Sequence, residues 1–372
     1  MIYFEKLKRL GRTYEMFFFG AGLGADIAYS FLQATGEHGA FQGIIDTRKR
    51  GVWNGFPILS PNEVIDLDSN IVITARSPWG IDEINRSLRE KGFHHIYSFN
   101  WCKGDRSFLE NSCNNTSEWE GECVLPHLEM HIADSCNLKC KGCAHFSPIF
   151  NQSLPVYEEC MNDIRIMKEK VSHIIRFYIL GGEPLLNPEL ERYVTGIRGE
   201  LPKTNIWLVT NGLLIPNLPD HTLMTMAENR IVVSISEYQP THKRIGKIVE
   251  RLEQFNVNYD LRPYDKKQRF NRPLSMSANS RLERECISNG CVNIWHGKIS
   301  RCPTLMYIQE FNKKFGTKLP EEGILELKDC PSGQELLTLL KKEVPLCGHC
   351  VSNEMEWQTC TEVKLEDFAV WE

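Results

Sequence analysis

The sequence predicts an α/β protein of two or three domains. Three observations carry this: short apolar runs alternating with helical stretches over residues 1–105, a second strand, loop and helix rhythm from residue 127, and an irregular cysteine-rich tail from residue 276. Hydrophobic residues make up 42% of the chain and charged residues 24%, ordinary globular values that argue against collagen-like, disordered and coiled-coil classes. A formal net charge of -5 supplies no global basic field, so a generic grip on nucleic acid is disfavoured. No apolar run reaches the ~18 residues of a membrane helix. Lys6, Lys8, Arg9 and Arg12 before Met16 to Ala25 imitate a secretory signal. The stretch reads better as a strand entering a glycine turn, and the expectation is a soluble, cytoplasmic protein. Fourteen cysteines in a reducing compartment point to metal ligands or catalysis rather than to disulfides.

In residues 1–105, Met16 to Phe19 predict a first strand, Gly20, Gly22 and Gly24 a turn, residues 26–35 a helix, and Gly43 to Asp46 a second strand ending in an acid. Further strands are expected at Ile71 to Thr74 and His95 to Ser98. The layout is Rossmann-like: glycines admit a phosphate to a helix N-terminus, and an acid after the second strand binds a ribose. The run G-A-G-L-G-A departs from G-x-G-x-x-G, so a purely structural turn is equally open. Through FFFGAGLGADIAYSFL, GIIDTRKRG and GFPILSPNEV the segment resembles nucleotide-sugar-associated domains attached to some polysaccharide-biosynthesis enzymes. That resemblance implies a sugar-related context, with NAD or a nucleotide-sugar as the ligand to look for. Residues 106–126, rich in Asn, Ser and Gly with little periodicity, read as a linker.

From 127 to 275, Leu128 to Ile132 lead into Asp134, Phe177 to Leu180 into Gly181, and Ile206 to Val209 into Thr210, Asn211 and Gly212, while Ile231 to Ile235 precede Ser236. Val156, Cys160, Ile164, Met167 and Val171 recur at helical spacing, which makes Cys160 a core residue. Polar groups at successive strand ends are how a barrel enzyme gathers its site on one face.

Cys136, Cys140 and Cys143 stand at C-x3-C-x2-C spacing just past the first of these strands. Structural zinc takes four ligands, whereas three cysteines on an iron-sulfur cluster leave one iron open. A zinc reading needs a fourth ligand, and His145 is available for it. The segment resembles the cluster loop of radical S-adenosylmethionine (SAM) enzymes, which implies a partial (β/α)6 TIM-type barrel over 127–275 with a [4Fe-4S] cluster and SAM. The same resemblance matches Gly181, Gly182, Glu183 and Pro184 to the family's GGEP segment, with Glu183 receiving the methionine amino group. It also places Thr210, Asn211, Ser234 and Ser236 against the methionine and ribose of SAM. Small hydroxyl residues at strand ends are equally ordinary structure. Many family members have an aromatic before the third cysteine where this chain has Gly142, so Phe146 is expected to cover the adenine instead.

Residues 276–372 hold Cys286, Cys291, Cys302, Cys347 and Cys350, with Cys360 beyond. The run from Cys286 through Gly297 to Cys302, returning at Cys347-Gly-His-Cys350, resembles SPASM or twitch extensions that carry auxiliary iron-sulfur clusters. It implies one auxiliary [4Fe-4S] cluster on Cys286, Cys302, Cys347 and Cys350, with Cys291 a competing ligand. A ribbon-type zinc site suits the same spacing. Cys102, Cys113, Cys123 and Cys330 match no motif, and His349 is expected to point outward.

The resemblance further implies hydrogen abstraction by a 5'-deoxyadenosyl radical, an external reductant of flavodoxin or ferredoxin type, and oxidation or epimerisation of a sugar or sugar-nucleotide. A peptide-modifying maturase, a zinc-binding interaction protein and a nicotinamide-dependent sugar enzyme are the alternatives. No catalytic acid, base or hydrogen donor is identified.

Overall fold

The computed structural model describes residues 15–34, 38–75, 78–99, 113–115, 123–151, 154–262, 269–278, 286 and 290–371. Cys102 and most of the expected linker lie outside these. The chain divides into two compact units, Met1–Glu122 and Cys123–Glu372.

The first unit carries a sheet of β1 (Met16–Phe19), β2 (Phe41–Ile45), β3 (Gly51–Trp53), β4 (Phe56–Leu59), β5 (Asn70–Ile73), β6 (His95–Phe99) and β7 (Cys113–Asn115), with helices α1 (Leu23–Ala34) and α2 (Pro78–Glu90). Its order is β3-β4-β2-β1-β5-β6-β7, in which β4, β2, β1, β5 and β6 run parallel. Two apolar clusters form because alternate residues of β1 face opposite ways: Met16 and Phe18 pack with Ala25, Ala28 and Phe41, while Phe17 and Phe19 pack with Ile71, Ile73 and Ile96. The glycines of the turn differ in purpose. Gly20 has φ +109°, and a Cβ on Gly24 would stand 2.1 Å from the Thr74 carbonyl oxygen, whereas Gly22 has open space. Replacing Gly24 by alanine is therefore expected to separate α1 from β5 and lower hydrogen-exchange protection of both, with Gly22→Ala as the near-neutral control.

Asp46, the acid expected to serve a ribose, is engaged with the turn. Its carboxylate accepts the Ala21, Arg48 and Lys49 amides at 3.0, 2.8 and 2.9 Å. Partial burial opposes ionisation, but those hydrogen bonds hold the group below the usual carboxylate range. The acid thus closes the glycine turn on itself.

The second unit is built on β8 (Val124–Ala133), β9 (His173–Gly181), β10 (Asn205–Thr210), β11 (Val232–Ser236) and β12 (Asn258–Arg262), with helices α3 (Tyr157–Lys170), α4 (Leu190–Glu200), α5 (Asp220–Glu228), α6 (Gln239–His242) and α7 (Ile245–Gln254) between them. Cys160, Ile164 and Met167 of α3 are buried as expected, while Val156, just before the helix, is exposed. β13 (Arg269–Ser275), β14 (Val292–Trp295), β15 (Lys298–Ser300), α8 (Pro303–Met306), α9 (Ile308–Phe315), β16 (Leu325–Glu326), α10 (Gly333–Lys341), β17 (Cys350–Glu356) and β18 (Ala369–Val370) follow.

The sheet runs β12-β11-β10-β9-β8-β14-β15-β16, six of its strands parallel, and it is open at both edges. Six parallel strands agree with the expected number. Residues 124–262 supply five parallel strands, and the sixth, β14, comes from the cysteine-rich segment and covers the free edge of β8. β14 and β15 form a hairpin turned by His296 and Gly297, with φ +48° and +73°. β17-β13-β18 make a small separate sheet. One apolar cluster joins Phe146 after the first cysteine loop to Cys302, Leu305, Tyr307, Phe311, Leu346 and Phe368. The cysteine-rich segment therefore shares both a sheet and a core with the strands before it.

Candidate active site and metal centres

The cysteine loop begins where β8 ends. Gly181 and Gly182, at the end of β9, lie against it so closely that a Cβ would stand 1.9 Å from the Ala133 oxygen and 2.2 Å from the Ser135 oxygen. The amides of Gly182 and Glu183 donate to those same carbonyls at 2.8 and 3.0 Å. Two consecutive glycines are needed because two backbones touch here.

Glu183 is fully buried. Its Oε1 accepts the Thr210 hydroxyl at 2.6 Å and the Leu185 amide at 3.1 Å, and its Oε2 accepts the Asn211 amide at 2.9 Å. Burial outweighs these bonds and pushes the carboxyl up to about 7. The acid expected to receive an amino group thus also ties the ends of β9 and β10 together. Asn211 extends the arrangement: its Nδ2 donates to Asn137 Oδ1 at 2.7 Å and approaches Cys136 Sγ at 3.8 Å. Thr241 of α6 holds its carbonyl at 2.6 Å. Pro184 opens a buried 3-10 turn. Ser234 and Ser236 share one face of β11, and the fully buried Ser234 Oγ has no partner among the described residues.

Burial, with the charges of Glu183 and Cys143, pushes the Cys136 thiol up to about 12; burial, with the charges of Cys143 and Cys136, pushes Cys140 higher still. Thiolates at these positions therefore require a cationic partner. Among the described residues, only His127, Glu129 and Cys291 bring three such ligand atoms within 4.8 Å of one another. Cys136, Cys140 and Cys143 do not form such a group. His145, the fourth zinc ligand under the alternative, is engaged elsewhere: its Nδ1 meets His131 Nε2 at 2.8 Å.

Gly142 has φ +70°, and a Cβ there would stand 2.5 Å from the Asn271 oxygen of β13. The aromatic expected at this position has no room. Phe146 is corrected as well: its ring is fully buried against Phe311 and Phe368, so it offers no exposed face to an adenine.

Sequence reasoning missed what covers the loop. Thr359 bridges Cys140, and the Lys141 and Gly142 amides donate to the Gln358 and Asp367 carbonyls at 2.9 and 2.8 Å. Trp357 donates its Nε1 proton to Cys140 Sγ at 3.1 Å and stacks on Tyr238. No local motif marks a partner more than 200 residues away. Hydrogen bonds to a sulfur ligand favour the reduced cluster. Trp357→Phe is expected to leave iron content unchanged and move the cluster midpoint to a more negative potential in an EPR-monitored redox titration.

In the second set, Cys302 and Cys350 each lie within electrostatic reach of Cys286 and Cys347, and burial first, then this company, pushes both thiols up to about 12. Arg301 Nη1 reaches Cys347 Sγ at 3.6 Å. Cys291 lies beside Glu129 and also within electrostatic reach of Cys302 and Cys286. His349, expected to point outward, is half-buried with Nδ1 donating to the Ser275 carbonyl at 3.0 Å.

The same sheet shows a polar face. His127, Glu129 and His131 alternate along β8 with Leu128, Met130 and Ile132, all buried. His127 stacks on Tyr178, His131 on Tyr307, and Asp134 Oδ1 accepts Trp295 Nε1 at 3.1 Å. The fully buried Asp134 Oδ2 has no partner among the described residues. The period-2 pattern of the two histidines around Glu129 is the signal that sequence inspection passed over.

Residues 130–255 match the family model of the radical SAM superfamily. This stretch is a radical SAM domain. Curated relatives of the radical SAM stretch include GTP 3',8-cyclases from Microcystis aeruginosa, 28% identical over 120 residues, and Crocosphaera subtropica, 31% identical over 123 residues. The matches cover 31% of this chain and 36% and 35% of those proteins, so the chain spans about a third of the length of the curated relatives it matches. Among solved structures, BtrN in complex with AdoMet and 2-DOIA is similar at 16% identity and TM-score 0.38, over 60% of this chain and 92% of BtrN. Streptococcus suis SuiB bound to S-adenosylmethionine is similar at 15% identity and TM-score 0.32, over 48% and 43%. The described residues have a mixed α/β fold, and among them no helix is long and apolar enough to cross a membrane.

Proposed function

We propose that the chain binds a [4Fe-4S] cluster through Cys136, Cys140 and Cys143, holds SAM against Gly181 to Pro184, Thr210, Asn211, Ser234 and Ser236, and oxidises or epimerises a hydroxylated small molecule of the sugar or sugar-nucleotide class. When bound, cluster and SAM supply a 5'-deoxyadenosyl radical that takes a hydrogen atom from an unactivated carbon. The observation that carries this reading is Glu183, whose carboxylate joins the ends of β9 and β10 while its own amide donates to Ser135 at the start of the cysteine loop. The buried Ser234 hydroxyl is available to a ligand. Cys286, Cys302, Cys347 and Cys350 would hold one auxiliary cluster, and a flavodoxin- or ferredoxin-type protein would supply electrons. The polar face of His127, Glu129, Tyr178, Asn293 and Asp134 suits a substrate bearing several hydroxyl groups, which such side chains orient by hydrogen bonds.

The test is anaerobic reconstitution, reduction with dithionite and addition of SAM with deuterated sugars and sugar-nucleotides, or with peptides. Formation of 5'-deoxyadenosine carrying deuterium from a sugar-class substrate is expected. No 5'-deoxyadenosine at all would overturn the radical reading, and deuterium transfer only from peptides would overturn the substrate class.

A further inference from the structure

Cys291 stands immediately before β14, and the pairing of Val292 with Leu128 and of Asn293 with Glu129 brings it to the polar face of β8. There a ring nitrogen of His127, a carboxylate oxygen of Glu129 and the Cys291 sulfur lie within 4.8 Å of one another, buried or half-buried. We propose that His127, Glu129 and Cys291 form a mononuclear site for a zinc-class divalent cation, with a fourth position open to a substrate oxygen.

The donor set is one nitrogen, one oxygen and one sulfur, the mixture that a borderline-soft divalent ion accepts and that hard magnesium or calcium does not. One carboxylate and one thiolate neutralise a doubly charged ion, which matters at a site closed to water. The surroundings are those of a held site. Asn293 Nδ2 donates to Glu129 Oε2 at 3.0 Å and to the Cys291 carbonyl at 2.8 Å, fixing both ligands from one side chain. His127 is fixed by stacking on Tyr178, with ring centroids 4.3 Å apart.

His127 Nε2 and Glu129 Oε1 meet at 2.7 Å. Tetrahedral zinc with bonds of about 2.0–2.3 Å spaces its ligand atoms by roughly 3.3–3.8 Å, so binding an ion would open this pair by about 0.6–1.1 Å. Cys291 lies within electrostatic reach of Cys302 and Cys286 as well as of Glu129, so the cobalt and iron counts below decide which centre it serves. Three protein ligands and an open position describe a catalytic rather than a structural zinc site, one that would acidify a bound substrate hydroxyl. That last consequence rests on the proposed function; the metal site does not.

The experiment is titration of reconstituted protein with cobalt(II) under anaerobic conditions, with iron, sulfide and cobalt counted on the same sample. About one cobalt per chain is expected beside about eight iron, with thiolate-to-cobalt charge-transfer absorption. Cys291→Ser should keep its iron and lose that absorption, and His127→Gln should keep its iron and lose most of the cobalt. Uptake of no cobalt by iron-loaded wild type would overturn the proposal, as would loss of about four iron in Cys291→Ser, which would place this residue on the auxiliary cluster. Failure of the radical reading would show as missing iron, whatever the cobalt result. Far-ultraviolet circular dichroism and iron content of Glu129→Gln, beside its cobalt count, separate ligand loss from misfolding.

Discussion

Replacing Cys136, Cys140 and Cys143 together by alanine is expected to remove about four of about eight iron atoms per chain and to abolish reductive cleavage of SAM. The effect is all-or-none because three thiols hold the cluster and leave no protein ligand in reserve. His145, the nearest alternative donor in the sequence, is committed to His131 and is held neutral: burial, then the charge of His131, pushes it down to about 4. Retained iron of about four per chain would report the second cysteine set intact, whereas loss of all iron would mean that the two centres depend on one another. Iron and acid-labile sulfide assays with SAM turnover decide between these. Little iron with tightly held zinc in the wild type would contradict the cluster assignment altogether.

Glu183→Leu is the second large effect. It leaves the Thr210 hydroxyl and the Leu185 and Asn211 amides without their acceptor in a fully buried place. At about 1–3 kcal/mol for each orphaned donor, a loss of at least about 3 kcal/mol in stability is expected, together with loss of SAM binding by equilibrium dialysis. Glu183→Gln should be milder and should reveal the sign of the charge effect. In the cluster-free protein the Glu183 carboxyl stands near 7 against an ordinary 4.5, because it is buried. The folded state then holds its proton more tightly than the unfolded chain. Its contribution to stability is complete below about pH 4.5 and is lost as pH rises through about 7, a change of about 3 kcal/mol. Urea midpoints measured from about pH 5 to about pH 8 should therefore fall in wild type relative to Glu183→Gln. A parallel course of the two proteins would show that Glu183 is already ionised when buried.

How much of the site was legible in sequence depends on how local each feature is. The C-x3-C-x2-C loop, the two glycines before Glu183 and the polar residues ending β10 are each confined to a few residues, and their chemistry is carried by residue type and spacing. The strands of both units were legible too, since alternating or continuous apolar runs between glycine and polar breaks report burial directly. The helix around Cys160, Ile164 and Met167 was readable from its period, and only its exposed first member, Val156, misled. Phe146 was misread, and Asp46 is tied into its turn, for a shared reason. An acid or an aromatic beside a motif has the right chemistry for a ligand, but its neighbours decide whether that chemistry is already spent, on the Ala21 amide in one case and on Phe311 and Phe368 in the other.

The sequence by itself placed three thiols at C-x3-C-x2-C spacing after a strand, and the resemblance of that loop to radical SAM enzymes carried the class of chemistry. The sequence also determined the alternation of strands and helices, because hydrophobic burial obeys the local repeat of the backbone. Only the tertiary structure decided which distant residues complete the centres. The pairing of β14 with β8 brings Cys291 to His127 and Glu129, and the packing of the tail brings Trp357 to Cys140 and Asn271 to Gly142. Such contacts join residues well over a hundred positions apart, and their register is set by strand pairing and the fit of side chains in a core. No short-range pattern encodes them.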